Sequence, residues 1–149
     1  MPDMNATEAG GFLTVTFEVA DTLIGIDSSC VEEIVRVPPI TPVRGAEEHV
    51  LGIVNLRGRI ITVVDVSARL GLGPAEIGDE ARILVTVVKG ESIGALVPRL
   101  SDVIEAEHSG MRRISGDIKG VSSGYFLGVF ENSGRLTALL DPEKALSAV

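Results

Sequence analysis

Short apolar runs, separated by turn-forming residues, recur along the whole chain. The runs are rich in Val, Ile and Leu, and the breaks between them carry Gly, Asp and Asn. Such runs, joined by short polar breaks, predict β-hairpins. The predicted hairpins pair 12–19 with 23–26, 51–54 with 60–64, 82–88 with 92–97, and 125–130 with 136–140.

The segments between these hairpins predict little regular structure. Val31, Ile34 and Val35 fall at helical spacing and predict one or two helical turns, and residues 100–104 predict a short amphipathic turn. Residues 36–44 contain three prolines, so they should be extended and outside any central strand. Residues 109–123 are polar and predict a loop.

Caps and a linker mark the boundaries between segments. Asp65 directly follows an apolar run and precedes Ser-Ala-Arg-Leu, so it should cap a short helix that ends near Gly71. Asp141 and Pro142 form a second cap, with the proline at the first helical position. Residues 71–80 are Gly-rich and acidic and predict a linker, and residues 1–11 predict a flexible tail.

An internal repeat constrains the architecture. Residues 51–66 and 127–142 match at an offset of 76, and earlier segments match at an offset of 69, where Ile24-Gly25 corresponds to Ile93-Gly94. The sequence therefore predicts two small antiparallel barrels, which share a third apolar core because each is small. The first should span about 12–75 and the second about 80–149, with a crossing of the chain between barrels allowed at their ends. The identical positions are Leu51/Leu127, Gly52/Gly128, Gly58/Gly134, Arg59/Arg135 and Asp65/Asp141.

Composition excludes several classes of protein. The 149 residues are 45% hydrophobic and carry a net charge of -8, which fits a globular domain and argues against nucleic-acid binding. No apolar run is long enough to cross a bilayer, and the first residues lack the features of a signal peptide. We therefore expect a cytoplasmic protein without direct membrane insertion.

The sequence offers little for catalysis, for a metal or for a cofactor. His49 and His108 lie in polar stretches and should be surface residues, and the single cysteine, Cys30, should be a small buried residue. Asp65 and Asp141 could form an acid/base pair, but both occupy the same capping position of the repeat, which favours a structural role. We expect no enzyme activity and no cofactor.

The stretch VLGIVNLRGRIITVVDVSARLGL resembles the signature of CheW-type domains. The resemblance continues in order from residue 12 to residue 146, through Ile-Gly-Ile-Asp at 24–27, Val-Glu-Glu-Ile at 31–34 and Ser-Asp-Val-Ile at 101–104. Two positions depart from the pattern: Thr62 replaces a proline, and Pro98 replaces an acidic residue.

The resemblance implies one CheW-like domain over 12–149, an all-β fold of two five-stranded SH3-like barrels with a few short helices. It also implies a non-enzymatic adaptor that couples methyl-accepting chemoreceptors to the histidine kinase CheA in bacterial chemotaxis. Its partners would be the cytoplasmic tip of the receptor and the regulatory domain of the kinase. Alternatives are a module for a CheA-like kinase in surface motility or gene regulation, a small-ligand domain that uses the groove between barrels, and a regulatory piece of a larger kinase.

The resemblance also implies a site, because in the family the Val-Glu-Glu-Ile glutamate and the Asn-Leu-Arg-Gly arginine lie close together near the docked receptor tip. Here these residues are Glu33 and Arg57. The pair is either a salt bridge at the solvent edge or part of a receptor-facing patch. The second barrel keeps an acid, Asp102, but has Ser133 in place of the arginine, which favours the patch. The candidate partner-binding residues are Val31, Glu33, Gly52, Val54, Leu56 and Arg57. An alternative for Gly52 is that it serves only close packing.

Overall fold

The computed structural model describes residues 10–147, which form two five-stranded sheets and two short helices. The first sheet has the order β8-β1-β2-β10-β9, and the second has the order β3-β6-β7-β5-β4. The strands are β1 (Gly11–Val19), β2 (Thr22–Asp27), β3 (Val31–Arg36), β4 (Val50–Leu56), β5 (Arg59–Asp65), β6 (Arg82–Val88), β7 (Glu91–Val97), β8 (Arg99–Glu107), β9 (Phe126–Asn132) and β10 (Arg135–Leu140). The helices are α1 (Val66–Arg69) and α2 (Pro142–Ala145). The prediction of an all-β fold with two five-stranded units is confirmed.

The two sheets interleave the halves of the chain. The first sheet takes β1 and β2 from the first half and β8 to β10 from the second, whereas the second sheet uses the strands between residues 31 and 97. The sheets therefore do not follow the predicted ranges 12–75 and 80–149. The chain crosses from one sheet to the other over whole strands, where a crossing at the barrel ends was expected. If β1 corresponds to β6, β2 to β7 and so on, the two sheet orders are the same. The repeat thus extends to all ten strands.

Each sheet also contains one parallel pair, where antiparallel pairing alone was expected. In the first sheet β2 pairs with β10 through Ile24 and Gly25, and in the second β7 pairs with β5 through residues 93–96. The two pairs occupy equivalent places in the repeat. Both arise because strands from opposite halves of the chain meet there and no hairpin joins them.

Two segments predicted as turns are strands. Residues 31–36 form β3, which pairs with β6, and residues 99–107 form β8, which pairs with β1. The helical spacing of Val31, Ile34 and Val35 misled the prediction because a run this short fits either period. Residues 31–36 form a strand because their β-branched side chains favour it and because the edge of β6 is free to pair with them.

Three apolar clusters hold the fold, as the prediction of a third core between the barrels requires. One cluster fills the second sheet around Ile61, Ile83 and Leu96, and a smaller one fills the first sheet around Phe12 and Phe130. The largest joins the two sheets. Its members from the first sheet include Phe17, Ile24 and Leu140, and those from the second include Val64, Leu84 and Val97.

The interiors of the two sheets differ in polarity at equivalent positions. A side chain at Gly94 would meet the methyl groups of Ile83 and Ile61, whereas one at Gly25 would meet those of Thr14 and Thr137. Both threonines are fully buried, and neither hydroxyl has a hydrogen-bond partner. The first sheet therefore carries two unpaired hydroxyls where the second carries apolar atoms.

The predicted caps are confirmed. Asp65 is 2% exposed, and its Oδ1 accepts a hydrogen bond from the Ala68 amide at 3.3 Å. Its Oδ2 accepts from the Ala75 amide at 2.9 Å, so one carboxylate holds both α1 and the linker that follows. Asp141 accepts from the Glu143 amide at 3.1 Å at the start of α2. These bonds support a structural role for both carboxylates.

Candidate functional site

The hairpin between β4 and β5 presents the candidate arginine. The connection is Arg57-Gly58, with φ values of 52° and 86°, as in the two-residue turns that match the twist of hairpins. Asn55 accepts a hydrogen bond from the Gly58 amide through Oδ1 at 2.9 Å and so closes the turn. The side chain of Arg57 is 67% exposed. The Asn-Leu-Arg-Gly sequence thus forms a rigid tip that holds a guanidinium in solvent.

Arg57 binds Glu33, as the resemblance implied. Its Nη2 donates to Oε2 of Glu33, and the glutamate side chain is 28% exposed. This hydrogen bond, together with the negative charge of Glu33, raises the pKa of Arg57, so the guanidinium stays charged. Because Glu33 lies on β3 and Arg57 follows β4, the pair connects the two edge strands of the second sheet.

A second ionic contact, which the sequence did not reveal, lies in the same sheet. Arg59 approaches Oε1 of Glu32 at 3.4 Å and donates to the Ser92 hydroxyl at 2.5 Å. The Ser92 hydroxyl in turn donates to Glu32 at 3.0 Å. Three elements, β3, β5 and β7, therefore meet through one carboxylate. The only signal in the sequence was the arginine that the two repeats share.

The predicted patch is accessible only in part. Val31, on the strand of Glu33, and Leu56, next to Arg57 in the chain, are partly exposed, whereas Val54 is 2% exposed and packs in the second sheet. Gly52 is buried too. Gly52 and Val54 lie on the face of β4 that points into the core. They therefore support the surface from beneath and present no side-chain atoms to a partner.

Gly52 has a packing role that its repeat partner shares. At a φ of 147°, a β-carbon on Gly52 would collide with the Thr41 carbonyl and lie 2.9 Å from Cα of Pro42. The Pro-rich segment, residues 36–44, is held next to Gly52 by two backbone hydrogen bonds between Thr41 and Ile53. At Gly128 the segment around Arg112 makes the same approach, with Arg112 bridged to Val129. The packing interpretation of Gly52 therefore has direct structural support.

The two histidines and the single cysteine are the remaining candidates for chemistry. His49, expected at the surface, is 8% exposed, and its backbone carbonyl accepts a hydrogen bond from the Asp65 amide at 2.8 Å, just before α1. His108 is exposed and its ring lies 4.9 Å from that of Phe12. Cys30 is half-buried; burial, and then the charge of Asp27, raise the pKa of its thiol, which disfavours the reactive thiolate.

Grooves on the surface are shallow and open. One lies between the two sheets and is lined by the linker, including Pro74 and Glu76, together with Ala20 and Pro98. Within residues 10–147, no three His, Cys, Asp or Glu side chains come together in a way that could hold a metal ion. No helix in that part of the chain is long and apolar enough to span a membrane.

Comparison with known proteins identifies the family. The CheW-like domain family matches residues 13–149 of the chain. The chemotaxis protein CheW of Rhizobium meliloti (strain 1021) is 32% identical over 132 residues, which cover 89% of this chain and 85% of that protein. The CheW protein of Treponema pallidum (strain Nichols) is 31% identical over 141 residues, covering 92% and 83%.

A solved structure supports the same assignment. The scaffolding protein TtCheW from Thermoanaerobacter tengcongensis superposes with a TM-score of 0.80 at 25% identity, over 87% of this chain and 84% of that one. The family match covers nearly all of the described strands. The chain therefore belongs to the CheW-like domain family.

Proposed function

We propose that this protein is a non-enzymatic adaptor that couples methyl-accepting chemoreceptors to the histidine kinase CheA in bacterial chemotaxis. The observation that carries the proposal is the match of the CheW-like domain family to residues 13–149. Relatives named as chemotaxis protein CheW and a structure named as a scaffolding protein agree with it. An adaptor of this kind works in the cytoplasm, where the signalling tips of the receptors and the kinase are located.

The receptor tip docks, in this proposal, on the surface around Glu33 and Arg57. Arg57 projects from a rigid turn with most of its side chain in solvent, and Leu56, next to it in the chain, and Val31, on the strand of Glu33, add partly exposed apolar atoms. A helical partner needs such a combination of apolar contact and polar rim. Gly52 and Val54 act from below the surface, where they hold the Pro-rich segment and the hairpin in place. The kinase binds elsewhere through its regulatory domain, because an adaptor must hold both partners at once.

The proposed site is tested by Arg57→Ala in binding assays with a receptor cytoplasmic fragment and with full-length CheA. We expect receptor binding to fall while the melting temperature and kinase binding stay unchanged, since the guanidinium is exposed and supports no buried group. Arg99→Ala is the matched control, because Arg99 also pairs with an exposed glutamate, Glu80, at 3.9 Å. Normal receptor binding by Arg57→Ala would refute the site.

The same assays separate chemotaxis from a related pathway. If the wild-type protein binds a CheA-like kinase but no methyl-accepting receptor of the same organism, the adaptor serves another pathway, such as surface motility or gene regulation. If it binds neither, the proposed function itself fails.

A further inference from the structure

The repeat places two arginines at equivalent points of the two sheets, and only one of them is paired. Arg59 and Arg135 both begin the last strand of their unit, β5 and β10. Arg59 approaches the Glu32 carboxylate and donates to Ser92. The positions that correspond to Glu32 and Ser92 in the other sheet hold Ser101 and Leu23, which carry no charge.

Arg135 is consequently a cation without an anion. It is exposed, and among residues 10–147 no carboxylate lies within ion-pair distance of it. The chain as a whole carries a net charge of -8, yet none of the carboxylates in the described part of the chain pairs with Arg135. The repeat itself indicates which group fits this position, because in the other copy it is a carboxylate.

A second cation is held beside Arg135 in a defined position. Lys119 and Gly120 form a tight turn with φ values of 47° and 86°, closed by hydrogen bonds of 2.9 and 2.8 Å between Ile118 and Val121. The Lys119 ammonium donates to the carbonyl of Asp21 at 2.7 Å. A lysine in this backbone conformation is uncommon, and the contact fixes its charge at the turn between β1 and β2.

The two cations border a notch of about 250 Å³, whose lining is partly apolar and also includes Asp21 and Thr22. Its floor includes Leu23 and Ala138, and its rim includes Leu136, which is 56% exposed. The notch lies at the start of β2 and β10, before the two strands pair through only two residues each. We call it the Lys119–Arg135 notch.

We propose that the Lys119–Arg135 notch binds an acidic segment of the kinase, with a Glu or Asp carboxylate on Arg135 and an adjacent apolar side chain against Leu136. The inference rests on the proposed function. The receptor surface around Arg57 belongs to the second sheet, whereas the notch belongs to the first. A coupling adaptor needs two surfaces that can be occupied together, and the notch supplies a second one with a distinct charge.

The test measures the affinity of full-length CheA and, separately, of a receptor cytoplasmic fragment for charge variants of the protein. Arg135→Glu should weaken kinase binding by about tenfold, because it replaces an attraction with a repulsion at the rim of an interface. Receptor binding should be unchanged. Lys119→Asn should weaken kinase binding less, and asparagine tolerates the positive φ at that position.

Arg113→Glu is the matched control, since Arg113 is an exposed arginine that lies between β8 and β9, as Lys119 does, but does not line the notch. It should leave the kinase affinity within about twofold, because an exposed charge outside an interface contributes little. Arg135→Gln, which removes the charge without reversing it, replaces Arg135→Glu if the latter fails to fold by circular dichroism.

Three results would overturn the proposal: an unchanged kinase affinity for Arg135→Glu or Arg135→Gln, an equal loss for Arg113→Glu, or a loss of receptor binding instead. Absence of binding by the wild-type protein to either partner would instead contradict the proposed function. The two failures are therefore distinguishable in one set of measurements.

Discussion

Removing a buried hydroxyl from the first sheet should stabilise the protein. Thr14 and Thr137 are both fully buried, and neither hydroxyl has a hydrogen-bond partner. Their equivalents in the second sheet, Ile83 and Ile61, are apolar. Burying a hydroxyl without a partner costs about 1–3 kcal/mol relative to leaving it in water, and valine has nearly the same shape. We therefore expect Thr14→Val and Thr137→Val each to raise the free energy of unfolding by about 1 kcal/mol.

The assay is urea unfolding followed by far-ultraviolet circular dichroism, with thermal melting as a second measure. A gain of about 1 kcal/mol raises the melting temperature of a domain of this size by roughly 2–5 °C. The slope of the unfolding free energy against urea should stay constant, because the surface exposed on unfolding hardly changes. The double variant shows whether the two sites, both adjacent to Gly25, are coupled.

The same substitution at Thr86 is the control with the opposite sign. Thr86 is equally buried, but its hydroxyl donates to the carbonyl of Ile93 at 2.8 Å. Thr86→Val should therefore lower the free energy of unfolding by about 1 kcal/mol, because the bond is lost and the carbonyl keeps a buried lone pair. If Thr14→Val and Thr86→Val destabilise the protein alike, the hydroxyl of Thr14 has a partner and the reasoning is wrong.

Three further predictions address the packing glycine, the caps and the thiol. Gly52→Ala should cost about 3 kcal/mol or more through backbone strain and collision with the Pro-rich segment, whereas Gly58→Ala, in open space, should cost less; equal melting curves would contradict this. Asp65→Ala should destabilise the protein more than Asp141→Ala, by about 2 against 1 kcal/mol in urea unfolding, because Asp65 holds both a helix and the linker. Cys30 should react with iodoacetamide at pH 8 more slowly in the folded than in the urea-unfolded protein, since burial raises the pKa of the thiol; equal rates would refute that account.

The sequence anticipated features that local chemistry determines. The hairpins follow from apolar runs around short turns, three of which contain glycine, and the caps at Asp65 and Asp141 follow from the position of an acid directly after a strand. The repeat predicted two similar units and a shared core. The family resemblance, and no spacing of residues, led to the Glu33–Arg57 contact.

Features that depend on distant pairing were not visible in the sequence. The strand at 31–36 forms because β6 offers a free edge, and no local pattern encodes which strand that is. His49 is buried although the residues before it are acidic, and its backbone pairs with that of Asp65 at the end of β5, a contact that no local pattern encodes. Val54 fell within the predicted patch because the run of Leu51, Ile53, Val54 and Leu56 places apolar residues on both faces of the strand, and the sequence does not show which face turns inward.

The interleaving of the two sheets determines when each can form during synthesis. The second sheet is complete once Val97 has left the ribosome, whereas the first requires strands that end at Leu140. The β1–β2 hairpin, made first, has no partner strands until β8 to β10 appear, and it carries members of the shared core such as Phe17 and Ile24. Strand β1 gains its second neighbour only when residues 99–107 have been made, and β2 only when residues 135–140 have been made, so this hairpin waits longest for its sheet.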